Sequence, residues 1–224
     1  MSLMRLIGFA TGLVPLLLFF GMVLGYYYRK NLDKKNKLFV IYLCICFIID
    51  ILTRIIGEIY NNNLIFIVIF SLLELLFFYY FYKICIYKKH KKIFSIATAV
   101  ASVYMLYEMY TLNDVSPKEF QPYSKVLCSF LIIIMSINTL FEHINKEKQD
   151  TSIIKLCSVF VVYFSLNLIF FLPVSFLINI NDNSSTKFYF FWLANLILTI
   201  LFYIFLIKEI WKNGSTRKPL QSGL

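Results

Sequence analysis

Histidine is almost absent from this sequence: two residues, His90 and His143, in a chain of 224. Both are expected in short polar connections, so imidazoles cannot gather to hold zinc, and a Ser–His hydrolytic pair has no histidine to draw on. Charge is scarce as well, at 15% of residues, with 12 acidic residues against 22 Lys and Arg. The seven glycines and five prolines build no phosphate-binding loop and no GxGxxG, and neither CxxC nor HExxH occurs. Neither metal nor cofactor is therefore expected. The five cysteines, Cys44, Cys46, Cys85, Cys128 and Cys157, are odd in number and scattered, which argues against a disulfide framework. Missing too is any polar stretch long enough for a soluble domain.

What fills the chain instead is apolar. Hydrophobic residues make up 60% and aromatic residues 19%, with a mean hydropathy of +0.74, far above the share of a soluble domain. Near-continuous apolar runs of about 18 to 25 residues recur, the length that a hydrocarbon core of about 30 Å demands. The expectation is an all-α integral membrane bundle of seven transmembrane helices over about 6–28, 38–60, 64–87, 93–110, 123–141, 153–178 and 188–207. A short basic tail, 208–224, follows.

Lys and Arg placement gives the orientation, because cytoplasmic loops carry the excess. Of the 22 basic residues, 17 fall on one side, among them Lys34, Lys35 and Lys37, the run Lys88 to Lys92, and Lys208 and Lys212. Only Arg5, Lys118, Lys125 and Lys187 fall on the other, and Arg54 lies inside a helix. The N-terminus is expected outside and the C-terminus in the cytoplasm. The net charge of +10 is then topology rather than a nucleic-acid footprint. Richness in Lys, Asn, Ile, Phe and Tyr suggests a bacterial cytoplasmic membrane, with the lipid bilayer as the first partner.

The first helix carries Gly8 and Gly12, then Gly21 and Gly25, two pairs of the small-xxx-small kind that lets helices approach closely. They are read as packing sites, with a homo-oligomer or a protein partner as the alternative. Pro15 and Pro173 are expected mid-helix, where each frees the carbonyl one turn earlier, at Thr11 and Ile169. The first three helices match the last three in neither charges nor prolines, which counts against transporters built on repeats.

The stretch "DILTRIIGE" places Asp50, Arg54 and Glu58 on one face of the second helix. Counting ~1.5 Å per residue from Leu38, Asp50 lies about 18 Å across the membrane and Arg54 about 24 Å, where a lipid-facing charge is costly. A hairpin about Asn62 brings Glu74 of the third helix level with Asp50. Asp50, Arg54, Glu58 and Glu74 are therefore expected to form one cluster, either a dry lock between two helices or the lining of a water-accessible pocket. Tyr104, Glu108, Asn167 and Asn195 fall at similar depth toward the outer face and are candidates for the pocket wall; Asn138 lies deeper.

Seven helices with this orientation share their topology with several families, and each fails at its chemistry. A retinal protein needs a lysine midway along the last helix, which has none before Lys208; a PQ-loop sugar carrier needs Pro-Gln in paired repeats, and "QP" at Gln121-Pro122 is reversed and in a loop. No catalytic residue is assigned, although an Asp50- and Glu74-based lipid hydrolase stays open. Three functions follow. The first is a sensor or accessory subunit that binds a small or lipid-like ligand within the bundle and acts through a partner protein. The second is a proton- or cation-coupled transporter or channel using Asp50 and Glu74. The third is a purely structural assembly protein.

Overall fold

A computed structural model describes residues 3–60, 63–87, 91–112, 120–145, 150–173 and 185–216. Every element in it is helical: α1 (Leu3–Tyr27), α2 (Lys34–Tyr60), α3 (Leu64–Phe81) with a π-helical turn at its end (Tyr82–Ile86), α4 (Lys92–Thr111), α5 (Tyr123–Ile144), α6 (Thr151–Phe171) and α7 (Ser185–Thr216). All seven are long and apolar enough to cross a membrane. Their outward surface fits that solvent, for Phe9, Tyr27, Ile93, Val103 and Phe141 are each about two-thirds exposed or more. An apolar surface of that extent would aggregate in water and is at home against lipid tails.

Helix ends differ from expectation at three places. Pro173 is not inside α6: the helix stops at Phe171 with Leu172 as its C-cap, still in helical conformation and donating its backbone N–H to Leu168, and a proline, having no N–H, cannot extend that ladder. Residues 174–178, the rest of that expected span, lie outside the described residues. Helix α7 continues through Lys208 to Thr216, so the first half of the expected tail is helical, and 217–224 lie outside the described residues. His143 is not in a loop but in the last turn of α5, where it is buried; His90 lies outside the described residues.

The chain divides into two compact units. The first comprises Met1–Glu58 with Trp192–Leu224, and α1, α2 and α7 supply its helices. Gly21 and Gly25 of α1 are used here: a Cβ at Gly21 would stand 2.7 Å from Leu43 Cδ1 and 2.9 Å from Ile207 Cγ1, and one at Gly25 would collide with Val40. Small residues thus let α1 close on α2 and α7. Gly8 and Gly12 meet nothing within 4 Å. At the other end of α1, the Asn213 side chain donates to Asp33 and accepts from the Asp33 backbone N–H at 3.0 Å, while Asp33 caps α2 by accepting from the Asn36 backbone N–H at 2.8 Å.

The second unit, Ile59–Phe191, contains α3 to α6. Helix α5 packs against α3, α4 and α6. Its buried residues are Ser124, Lys125, Cys128, Ser129, Ile132, Met135, Ser136, Thr139 and His143, whereas Phe130 and Phe141 are exposed. That is a helix turned inside out, polar toward its neighbours and apolar outward. Ser136 and Thr139 satisfy themselves by donating to the carbonyls of Ile132 and Met135 at 2.7 and 2.8 Å, a device suited to hydroxyls inside a membrane. Between α3 and α6 stands an aromatic block, with Phe78 edge-on to Phe160 at 5.1 Å and to Phe164 at 5.0 Å.

Candidate functional site

Two polar groupings stand where the sequence directs attention, one in each unit. In the first unit Arg54 donates from Nε to Asp50 Oδ2 at 2.8 Å and from Nη2 to Oδ1 at 3.2 Å. The pair is the i, i+4 partnership that helix geometry favours. Arg54 Nη2 also donates to the Thr11 carbonyl at 2.8 Å. Pro15, four residues on and inside α1, has no N–H to give that carbonyl, so the guanidinium of α2 supplies the donor that the proline withholds. Arg54 and Asp50 are 36% and 24% exposed along their side chains, and Glu58 is exposed. This grouping ties α1 to α2.

Glu74 takes a different partner from the one expected of it. Its Oε2 accepts from Lys125 Nζ at 2.5 Å, with Glu74 at 0% and Lys125 at 4% side-chain exposure. The helix hairpin could not indicate this, because Lys125 follows Pro122 closely in sequence and reads as one of the few basic residues of the outer loops. In the fold it is the third residue of α5 and points into the helix cluster. The one sequence signal was its position three residues into an apolar run, on the face of α5 that repeats as Ser124, Lys125, Cys128, Ser129.

The surroundings of the pair are orderly. The ring contacts of Phe78 and Phe81 with Phe160 and Phe164 set α3 antiparallel to α6, in a register that makes Glu74 level with Asn167 and Phe70 level with Phe171. The Lys125 ammonium lies 4.7 Å from the Phe70 ring centre and 5.9 Å from that of Phe171, within reach of cation–π attraction. Cys128, one turn along α5, points its thiol at the same carboxylate oxygen, 3.6 Å away. Among the described residues all five cysteines are free thiols.

A second carboxylate stands on the neighbouring residue of α5. Ser124 Oγ donates to Glu108 Oε2 at 2.6 Å, and the Ser124 backbone N–H donates to the same carboxylate. Pro122, the N-cap of α5, has no side-chain cap, so Glu108 of α4 caps the helix from outside and sets its negative charge at the positive end of the α5 dipole. The Tyr104 hydroxyl stands beside that carboxylate. Glu108 Oε1, Asn167 Nδ2 and Ser129 Oγ are buried and have no hydrogen-bonding partner among the described residues, whereas the great majority of buried polar groups are paired.

Of the eight candidate residues, the second unit thus holds Glu74, Tyr104, Glu108 and Asn167 around Lys125 and Ser124. Asp50, Arg54 and Glu58 belong to the first, as does Asn195, whose Oδ1 is buried without a partner among the described residues. Among the described residues no three His, Cys, Asp or Glu stand close enough to hold a metal ion. No known protein family, curated protein or solved structure matches the chain.

Proposed function

We propose that this protein is an integral membrane sensor or accessory subunit that binds a small or lipid-like ligand among α3 to α6 and passes its state to a partner protein. In this reading the N-terminus is outside, the C-terminus lies in the cytoplasm of a bacterial cell, and the ligand site occupies the outer half of the membrane. The observation that carries it is the buried Glu74–Lys125 pair with spare hydrogen-bonding capacity next to it, an acceptor at Glu108 Oε1 and a donor at Asn167 Nδ2. Intramembrane ionisable residues are costly and tend to mark functional sites. A helix lock gains nothing from unpaired polar atoms, and the aromatic block already fastens α3 to α6. Helix α5, in contact with three neighbours, is the element that would carry a displacement of Lys125 inward.

Coupled transport is the second reading. It draws on the polar seam of α5, which runs from Ser124 to His143, about 28 Å at the helical rise. Ile132 and Met135, at 0% and 1% exposure, interrupt that seam with a dry layer.

The experiment uses purified full-length protein in nanodiscs, challenged with lipid extracts and small amphiphiles and followed by thermal unfolding and native mass spectrometry. A saturable ligand that stabilises the wild type, and does not stabilise a folded Glu74→Leu/Lys125→Met double variant, supports the proposal. A proton or cation flux in proteoliposomes that Glu74→Gln abolishes would replace it with transport.

A further inference from the structure

Between α4 and α5 the second unit has an open groove of about 300 Å³ lined by Tyr104, Tyr123, Val126, Leu127 and Phe130. The volume is at the lower end of small-molecule sites. Its walls are apolar and aromatic, and Tyr123, Phe130 and Tyr104 are 57%, 50% and 38% exposed, so an acyl chain can enter sideways from the bilayer. Behind the Tyr104 wall of the groove, and outside its lining, lies a carboxylate. Tyr104, which lines the groove, stands beside the Glu108 carboxylate one turn further along α4, and Tyr123 immediately precedes the Ser124 that binds Glu108 Oε2.

Charge decides what fits there. Among the described residues two buried carboxylates, Glu74 and Glu108, share a neighbourhood with one buried lysine, and Lys125 is committed to Glu74 at 2.5 Å. Among the described residues Glu108 is answered by the Ser124 and Tyr104 hydroxyls, a backbone N–H and a helix dipole, none of which carries a full charge. Its Oε1 is buried and, among the described residues, without a hydrogen-bonding partner, with the residue itself 9% exposed. A desolvated anion in that position favours a cationic donor. An inorganic cation would need several oxygen ligands, and among the described residues no cluster of metal-binding side chains exists. One carboxylate oxygen with flanking tyrosine and phenylalanine rings suits instead an organic ammonium.

We infer that the ligand is a lipid-like organic ammonium whose head group pairs with Glu108 Oε1 and whose apolar tail lies in the α4–α5 groove. The inference rests on the ligand-binding reading above and narrows it to one chemical class. Such a head group is carried by an aminophospholipid of the bilayer or by a free long-chain amine, and the two share the same recognition.

The test titrates dodecylammonium, dodecanol and laurate against full-length protein in phosphatidylglycerol nanodiscs, with thermal unfolding for affinity and native mass spectrometry for stoichiometry. Dodecylammonium should bind one to one and at least about 10-fold tighter than dodecanol, the ratio that a charge-assisted hydrogen bond supplies. Glu108→Gln should erase that preference. Leu127→Trp, which fills the groove and leaves Glu108 intact, should weaken all three probes. Adding phosphatidylethanolamine to the nanodiscs lowers the apparent dodecylammonium affinity if the bilayer lipid is the occupant and leaves it unchanged if the occupant is a free amine. Equal binding of dodecanol and the amine, or undiminished amine binding by Glu108→Gln, overturns the inference. Tighter binding of laurate also overturns it while preserving a ligand site, now centred on Lys125; failure of every probe and of lipid extracts overturns the ligand-binding reading as well.

Discussion

Removing the positive partner of the buried pair should be among the most damaging single changes available in α5. Lys125→Met keeps most of the length of the side chain and removes its charge, which leaves the Glu74 carboxylate at 0% exposure without its ammonium. Truncating one member of a buried pair costs about 3–5 kcal/mol. For a chain of this size each kcal/mol moves the melting temperature by about 2–4 °C, so a fall of about 6–20 °C is expected. Replacing both partners, Glu74→Leu with Lys125→Met, should restore most of that loss, because two apolar side chains of similar volume need no pairing and buried ion pairs often exchange for them neutrally or better. Unfolding of the wild type, the two single variants and the double variant in one detergent closes the cycle, and the coupling energy should reach at least about 2 kcal/mol. A Lys125→Met variant that melts within about 2 °C of wild type, or a double variant as weak as the sum of its singles, would refute the pairing.

Three further expectations concern the first unit and the topology. Arg54→Ala should cost about 1–2 kcal/mol, less than a buried charge-assisted bond, since the pair is partly exposed; the cost should shrink in a Pro15→Ala background, where Thr11 regains a backbone donor, and equal costs in the two backgrounds would separate Arg54 from that carbonyl. Gly25→Val forces a branched side chain onto Val40 and should destabilise by about 1–3 kcal/mol, whereas Gly12→Val, with open space around its Cβ, should leave monomer melting unchanged; a loss of self-association in Gly12→Val alone would assign that face to a second copy. Finally, green fluorescent protein fused after Leu224 should fluoresce and alkaline phosphatase at the same place should be inactive, and the reverse pattern would invert the proposed orientation.

The candidate site was legible in part. Depth counting along single helices drew attention to Glu74, Tyr104, Glu108 and Asn167, because an isolated polar residue in an apolar run is conspicuous. Pro15 forecast a free carbonyl at Thr11, and the structure supplies its donor from Arg54. Lys125 was hidden for the opposite reason: standing close to Pro122 at a helix end, it counts as one of the few basic residues of the outer side, so its charge looked explained. Pro173 misled as well, since a proline inside an apolar run can kink a helix or end it, and hydropathy alone does not distinguish the two.

The number of helices, their approximate bounds and their membrane-crossing character follow from the sequence alone, because those properties depend on local composition, and a bilayer leaves the backbone little choice but to pair within each apolar run. Pairing between helices is different in kind. Which carboxylate meets which cation depends on how helices rotate about their axes and which become neighbours, and residues 51 positions apart, such as Glu74 and Lys125, share no local signal. The sequence by itself determined the seven helices and the places where charge is expensive; only the tertiary structure decided that Glu74 belongs to Lys125, that Arg54 belongs to Asp50 and Thr11, and that Glu108 keeps one oxygen without a partner among the described residues.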